Sequence, residues 1–328
     1  MKNLQVRLAS RPAGWVSEEN FRLVEEETPP LGDGQLLLRN RWLSLDPYMR
    51  GRMNDARSYA PKVEIDQVMV GGTVAEVIES RHPKWSAGEF AVGMLGWQEL
   101  AVSDGKGLQK VPGGSSIYLG PVGMPGVTAW LGLVDIAQPK AGETVVVSAA
   151  AGAVGSVVGQ LAKLRGCRAV GIAGGAKKCQ HVVKDLGFDA CIDYKAGGLR
   201  DDLKAAAPNG IDIYFENVGG DVLDEVVRRL NPFARIPLCG LVSQYNETQP
   251  RGLGNLSALL TNRVKLQGFI VTDHLDRWPA ALAELGPLVA EGKLKHHETV
   301  VEGLRQAPRA FIGLLKGENL GKMLVKVA

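Results

Sequence analysis

The 328-residue sequence is poor in several things, and each scarcity narrows what the chain can be. It has four cysteines, Cys167, Cys179, Cys191 and Cys239, all in the second half, with no C-x-x-C pair and no close histidine partner. They do not resemble a zinc site, and Cys191 and Cys239, in apolar runs, read as small core residues with reduced thiols. Net charge is only +3, too little to argue for nucleic acid or an anionic membrane as partner. No apolar stretch approaches a membrane span, and the start, Met1 to Arg7, carries no apolar h-region, so a cytoplasmic location is expected. The first domain has no Gly-His-Glu run and no Cys–His arrangement, which speaks against a Lewis-acid metal; no metal site is expected. The five histidines, His82, His181, His274, His296 and His297, are scattered, and none has a ligand-spaced partner.

What is present points to nucleotide chemistry. Thr144 to Ser148 is an apolar, β-branched run suited to a strand buried on both faces, and Val154, Val157, Val158, Leu161 and Ala162 then recur at helical spacing. Between them lies Ala150-x-Gly152-x-x-Gly155, the small-residue pattern of a dinucleotide fingerprint with Ala for the first glycine. Small residues are needed there because the backbone must turn sharply and approach a pyrophosphate, while the helix N-terminus offers its free amides to the anion.

The rest of the chain organises around this unit. Residues 1 to about 120 hold several short strands with glycines at Gly71, Gly72, Gly93 and Gly96, a small β-rich domain with bulges as in a partly closed barrel. A Gly/Pro-punctuated stretch, Leu119 to Gly126, marks the junction, after which strands alternate with helices, as in a doubly wound parallel sheet. The expected helices include Val127 to Ile136, Lys177 to Leu186, Asp221 to Leu230 and Asp276 to Glu291; the expected strands include Arg235 to Cys239 and Val264 to Val271. The last residues are expected to return to the first domain, giving a catalytic domain at 1–122, a cofactor domain at 123–292 and a return segment at 293–328.

The second strand of the nucleotide unit decides the cofactor. An NAD enzyme usually ends that strand with an acid about 20 residues past the glycines. Here it ends Ala173-Gly-Gly-Ala-Lys-Lys178, with two cations in place of an acid, so NADP(H) is expected, Lys177 or Lys178 attracting the 2′-phosphate. Asn217 follows the strand Ile211 to Phe215, and the run Cys239 to Tyr245 follows the next; both are strand C-termini, where ligands bind in open parallel sheets. With no metal expected, a tyrosine is the available donor to a substrate oxygen, because a phenol stays protonated at neutral pH. Tyr245 is placed best, with Tyr48 and Tyr59 as further candidates.

These residues resemble a family. Leu45-Asp-Pro-Tyr-Met-Arg-Gly-Arg-Met53, Val70 to Val74, Met124 to Ala129, Ala149 to Gly155, Phe215 to Gly220, Cys239 to Asn246 and Lys316 to Lys322 run in order along the chain. Together they are similar to the zinc-independent medium-chain dehydrogenase/reductases, in the group of prostaglandin reductases, alkenal double-bond reductases and curcumin reductases. The resemblance implies an α/β chain, a GroES-like β-rich catalytic domain with an inserted Rossmann cofactor domain, and a homodimer joined at the sheet edge near Val264 to Val271. It implies that Gly152, Ala153, Val154 and Gly155 meet the pyrophosphate. Lys178 and Tyr194 would hold the 2′-phosphate end, with Gly174 also in the cofactor site. Thr128, Asn217, Cys239, Gly240, Leu241, Val242, Ser243, Tyr245, Phe269, Ile270, Val271 and Asn319 would line the rest. Tyr245 is carried over beside the substrate carbonyl, with Tyr48 and Tyr59 as the other pocket tyrosines. Gln244 and the loop Thr248 to Leu256 depart from the family and face the substrate.

The expected activity is NADPH-dependent reduction of the carbon–carbon double bond of a small-molecule enone or enal. Two alternatives stay open: a quinone reductase or carbonyl/alcohol dehydrogenase on the same fold, and a non-catalytic NADPH-binding redox sensor.

Overall fold

The computed structural model describes residues 1–249 and 251–327; Pro250, within the departing loop, lies outside the described residues. The chain forms two compact units, one of Met1–Leu119 with Glu298–Ala328 and one of Gly120–His297. No described helix is long and apolar enough to cross a membrane.

The first unit begins with a hairpin of β1 (Lys2–Leu8) and β2 (Phe21–Glu27), followed by β3 (Leu36–Ser44), α1 (Tyr48–Arg52), β4 (Thr73–Ser80), β5 (Phe90–Gly93), β6 (Leu100–Ser103) and β7 (Gln109–Val111). The nine-residue β3 organises the sheet. It pairs antiparallel with β4 along one edge, and its first half, Leu36 to Arg39, pairs with β6. Register shifts against β4 fall between Leu37 and Leu38 and between Asn40 and Trp42, away from Gly71, Gly72, Gly93 and Gly96, where bulges were expected.

The second unit is built on strands β8 (Thr144–Ser148), β9 (Arg168–Ala173), β10 (Ala190–Asp193), β11 (Ile211–Phe215), β12 (Leu230–Leu238) and β13 (Lys265–Gly268). All pairings are parallel, in the order β10-β9-β8-β11-β12-β13. This is the doubly wound order, and its reversal falls between β8 and β11. The helices are α2 (Met124–Trp130), α3 (Gly155–Leu164), α4 (Ala176–Lys184), α5 (Leu199–Ala206), α6 (Gly220–Val227), α7 (Leu256–Thr261) and α8 (Trp278–Ala290). Every residue of β8 is buried, as its run of valines requires.

The chain then supplies β14 (Glu298–Glu302), α9 (Ala307–Leu315) and β15 (Lys322–Lys326) to the first unit. β15 pairs antiparallel with Trp42 to Ser44 of β3 and parallel with β14. Phe311 of α9 packs edge-on to Trp97 at 5.6 Å, and Trp97 stacks on Phe21 at 5.5 Å, so residues far apart in sequence share one core.

Several expected boundaries move. The helix expected to reach Leu230 ends at Val227, because Leu230 is buried and pairs with Ile211 as the start of β12. Val127 to Ile136 is one α-helix only to Trp130; Leu131–Ala137 opens into a π-turn closed by Gln138 in the left-handed region, which a 3.6-residue period cannot foretell. The edge strand expected over Val264 to Val271 pairs only from Lys265 to Gly268, and Val271 already begins a 3₁₀ turn that leads into α8 at Trp278. Cys191 and Cys239 are half-buried, and Cys167 is the fully buried thiol.

Candidate active site

The fingerprint turn is set by steric limits. Ala149 takes φ 51°, in the left-handed region, and its carbonyl accepts the Gly152 amide at 2.9 Å. A Cβ on Gly155 would stand 2.4 Å from that same carbonyl oxygen, so only glycine lets α3 start this close to β8. Ala153 and Val154 lie half-buried between them, at the head of α3.

At the end of β9, Gly174 lies under Tyr194: a Cβ there would sit 2.9 Å from Tyr194 Cε1 and from Lys195 Cε. Asp193 fixes this corner, its carboxylate accepting the Gly175 amide at 2.7 Å and the Lys195 amide at 3.0 Å. Lys177 is exposed and Lys178 half-buried. Burial and then the neighbouring Lys195 charge hold the Lys178 amine below the usual lysine range. Two cations near each other, a tyrosine face and no acid in the first turn of α4 suit a phosphate on the ribose. Lys195 and Asp193 were missed in the sequence because they belong to the end of β10, and only strand pairing with β9 brings them here.

Between β8, β11 and β12 a second cluster surrounds Asn217. Its backbone amide donates to Ser148 Oγ at 2.8 Å, and its side-chain Nδ2 donates to Ser148 O at 2.8 Å. Glu216 is fully buried, and its Oε1 accepts Ser148 Oγ at 2.9 Å, Val218 N at 2.5 Å and Gly219 N at 3.0 Å. Burial pushes this carboxyl above the usual range, against the pull of those donors. Cys239 N and Gly240 N donate to Glu216 O, Val242 N to Asn217 O, and Ser243 N to Val218 O. The Cys239 thiol is pushed up to about 12 by burial and then by the Glu216 charge, which makes it a poor nucleophile. Tyr245 is half-buried and folds back over this turn, where its hydroxyl accepts the Leu241 amide at 3.3 Å.

The remaining expected cofactor residues of this unit are more dispersed. Thr128 Oγ1 donates back to Met124 O at 2.7 Å within α2. Phe269 is buried edge-on against Phe215, with centroids 6.3 Å apart, and Ile270 and Val271 follow it half-buried.

In the first unit, Tyr48 opens α1 and Tyr59 lies beyond it, 57% exposed. Arg52 joins them: its guanidinium carbon stands 5.8 Å from the Tyr48 ring centroid and 5.4 Å from that of Tyr59. The Tyr48 hydroxyl is buried without a hydrogen-bond partner. Burial, then the Asp46 charge, raises its pKa far above the ordinary phenol range, so it stays protonated. Asp46, just before α1, is held by Lys322 Nζ at 2.8 Å and by Ser44 Oγ; Lys322 also donates to Leu45 O at 2.7 Å. Both ions of this pair are buried. Asn319 is buried close by in sequence, its Nδ2 donating to Gly321 O at 2.7 Å. The link between the Leu45-Asp-Pro-Tyr48 and Asn319-Leu-Gly-Lys322 motifs could not be read from the sequence, where 276 residues separate Asp46 from Lys322.

A doubly wound sheet with a glycine-rich turn at its first strand, joined to a β-rich unit completed by the last residues of the chain, defines a nucleotide-dependent oxidoreductase of the dehydrogenase/reductase class. Two family models match, one described as the N-terminal domain of oxidoreductase over residues 4–111 and one as zinc-binding dehydrogenase over residues 153–286. The chain belongs to the medium-chain dehydrogenase/reductases, in the group of curcumin and prostaglandin reductases. It is 52% identical to the NADPH-dependent curcumin reductase of Escherichia coli (strain K12), over 100% of this chain and 97% of that protein. It is 44% identical to prostaglandin reductase 1 of Rattus norvegicus, over 95% of each. The crystal structure of CurA in complex with NADPH from Vibrio vulnificus matches with a TM-score of 0.95 and 52% identity, covering 99% of both chains. Although one matching model carries zinc in its description, no group of three or more His, Cys, Asp or Glu that could hold a metal ion occurs among the described residues.

Proposed function

We propose that the chain is an NADPH-dependent reductase of the carbon–carbon double bond in α,β-unsaturated ketones and aldehydes. The observation that carries this reading is similarity along the whole chain to reductases named for NADPH and for curcumin or prostaglandin. The local chemistry agrees. Gly152 to Gly155 form the cradle for the pyrophosphate, and Lys178, Lys195 and Tyr194 hold the 2′-phosphate above Gly174. Asn217, the turn Cys239 to Tyr245, Thr128, Phe269 to Val271 and Asn319 serve the rest of the cofactor. Bound NADPH supplies a hydride to the β-carbon of the substrate.

The work of the chain is to accommodate the charge that then grows on the substrate oxygen. Tyr245 donates a hydrogen bond to that oxygen; its hydroxyl accepts the Leu241 amide through a lone pair, a bond that does not use the phenolic proton. Within the first unit, Tyr48, kept protonated by burial and by Asp46, is a further candidate donor, and Tyr59, beside Arg52, a further candidate pocket residue. A proton reaches the α-carbon from solvent or a tyrosine. The chain works as a homodimer joined along the open edge of β13, where Leu266 is 40% exposed; light scattering in solution tests this.

The test is oxidation of NADPH in the presence of curcumin or an alkenal, with mass analysis of the product. A gain of two hydrogens with the carbonyl intact supports the reading. Reduction of a quinone or of the carbonyl, with the alkene untouched, replaces it, and tight NADPH binding without turnover on any of these moves the reading to a redox sensor.

A further inference from the structure

Glu216 is the one acid with no exposed surface among the described residues, and nothing in the proposed chemistry uses it. It stands where the sheet order reverses. One side-chain oxygen, Oε1, collects donors from the end of β8 through Ser148 and from the head of α6 through Val218 and Gly219. Its backbone carbonyl collects the amides of Cys239 and Gly240 at 2.9 and 3.1 Å, and its amide donates to Pro237 O at 3.1 Å. One residue thus ties together the ends of three strands. Its other oxygen, Oε2, and the hydroxyl of Tyr214 are both buried without a hydrogen-bond partner.

If packing alone mattered, β11 would be better ended by an apolar side chain, since burying a carboxyl with one oxygen unpaired is costly. The carboxyl's bonds go instead to Ser148, on which Asn217 is fastened, and to Val218 and Gly219, while the turn that carries Tyr245 hangs on the backbone carbonyls of Glu216, Asn217 and Val218. Asn217 is fastened to Ser148 through both its backbone and side-chain nitrogens, and the Tyr245 hydroxyl rests on the turn that begins at Gly240.

We propose that Glu216 is a positioning residue that sets the nicotinamide side of the site, through Asn217 and the turn Gly240 to Tyr245. The inference rests on the reading of the chain as an NADPH-dependent reductase. It predicts a split between kinetic constants. E216L removes the acceptor shared by Ser148, Val218 and Gly219 while keeping bulk. This frees Val218, whose carbonyl holds the Ser243 amide of the turn, and a displacement of about 1 Å at the reacting atoms costs about 10²-fold in kcat. KM for NADPH changes little, because the 2′-phosphate corner at β9 and β10 does not depend on Glu216. E216Q keeps an acceptor at Oε1 and places an amide donor where Oε2 lies, and so recovers most of the loss. S148A, which removes one donor to Glu216 and the acceptor of the Asn217 amide, lowers kcat in the same sense.

The experiment measures kcat, KM for NADPH and melting temperature for wild type, E216L, E216Q and S148A, together with the reduced-nicotinamide fluorescence of bound NADPH. A fall in kcat for E216L and S148A at nearly constant KM, with rescue by E216Q and altered fluorescence in E216L, supports the inference. A lowered melting temperature with wild-type kcat in E216L overturns it, as does an equal loss in E216Q. Should E216L not fold, wild-type kcat in S148A overturns it instead. If wild type binds NADPH but reduces no enone, the functional reading fails separately; the positioning role is then judged by fluorescence, and identical spectra for wild type and S148A overturn it.

Discussion

Replacing Lys178 with Ala should convert a cofactor preference into near indifference. Lys178 is half-buried beside Lys195, and its amine is held below the ordinary range by burial and by that second charge. A 2′-phosphate placed there would make charge-assisted hydrogen bonds, each worth about 1.5–3 kcal/mol net. At about 1.4 kcal/mol per tenfold, K178A should raise KM for NADPH by about 10- to 150-fold. KM for NADH, which has no phosphate to lose, should stay near its wild-type value. The pH dependence follows from the same shift. In the free protein the lowered pKa means that Lys178 loses its proton earlier than an ordinary lysine, while a bound phosphate favours the charged form. Binding therefore takes up a proton in the window between the lowered and the restored pKa, and NADPH affinity falls as pH rises through it. K178A should lack that alkaline loss. Steady-state KM for both cofactors across the alkaline range is the assay. An equal rise for NADPH and NADH, or none for NADPH, would refute a phosphate site at this corner.

Other consequences can be checked with single substitutions. Y245F should lower kcat by about 10²–10³, the usual cost of one donor to a developing oxyanion, with NADPH binding by titration nearly unchanged. K322M removes the cation paired with Asp46 in the core of the first unit and leaves, among the described residues, only Ser44 Oγ on its carboxyl, a loss of about 3–5 kcal/mol, so thermal unfolding should begin on the order of 10 °C lower. D46N in that background should restore part of the difference, because the stranded charge is gone. Placing Val at Gly174 should weaken NADPH binding, since its side chain would occupy the space beneath Tyr194; unchanged affinity would show that the ring does not rest there when the cofactor binds.

Much of the second unit was legible because its strands are buried on both faces and announce themselves as apolar runs, as at Val145 to Val147. The doubly wound class followed from their alternation with helices, and the glycine pattern located the turn at β8. What failed were boundaries set by tertiary pairing: Leu230 obeys helical periodicity but is taken into β12 by Ile211. The π-turn at Leu131–Ala137 left no periodic trace either. Of the candidate site residues, Lys178 and Tyr245 could be picked out by type and by position past a strand end, and Tyr48 and Tyr59 by type in a Pro-flanked segment. Their supports could not. Asp193 and Lys195 act through the register of β9 with β10, Glu216 through three strand ends, and Lys322 through an ion pair with Asp46 that only the fold brings together.

The central claim is where the hydride goes. NADPH carrying deuterium at the transferred position of the nicotinamide, an alkenal or curcumin as acceptor, and NMR of the product answer it in one measurement. The account predicts a single deuterium on the β-carbon, a hydrogen from solvent on the α-carbon, and an intact carbonyl. Deuterium on the carbonyl carbon, with the double bond retained, would contradict it.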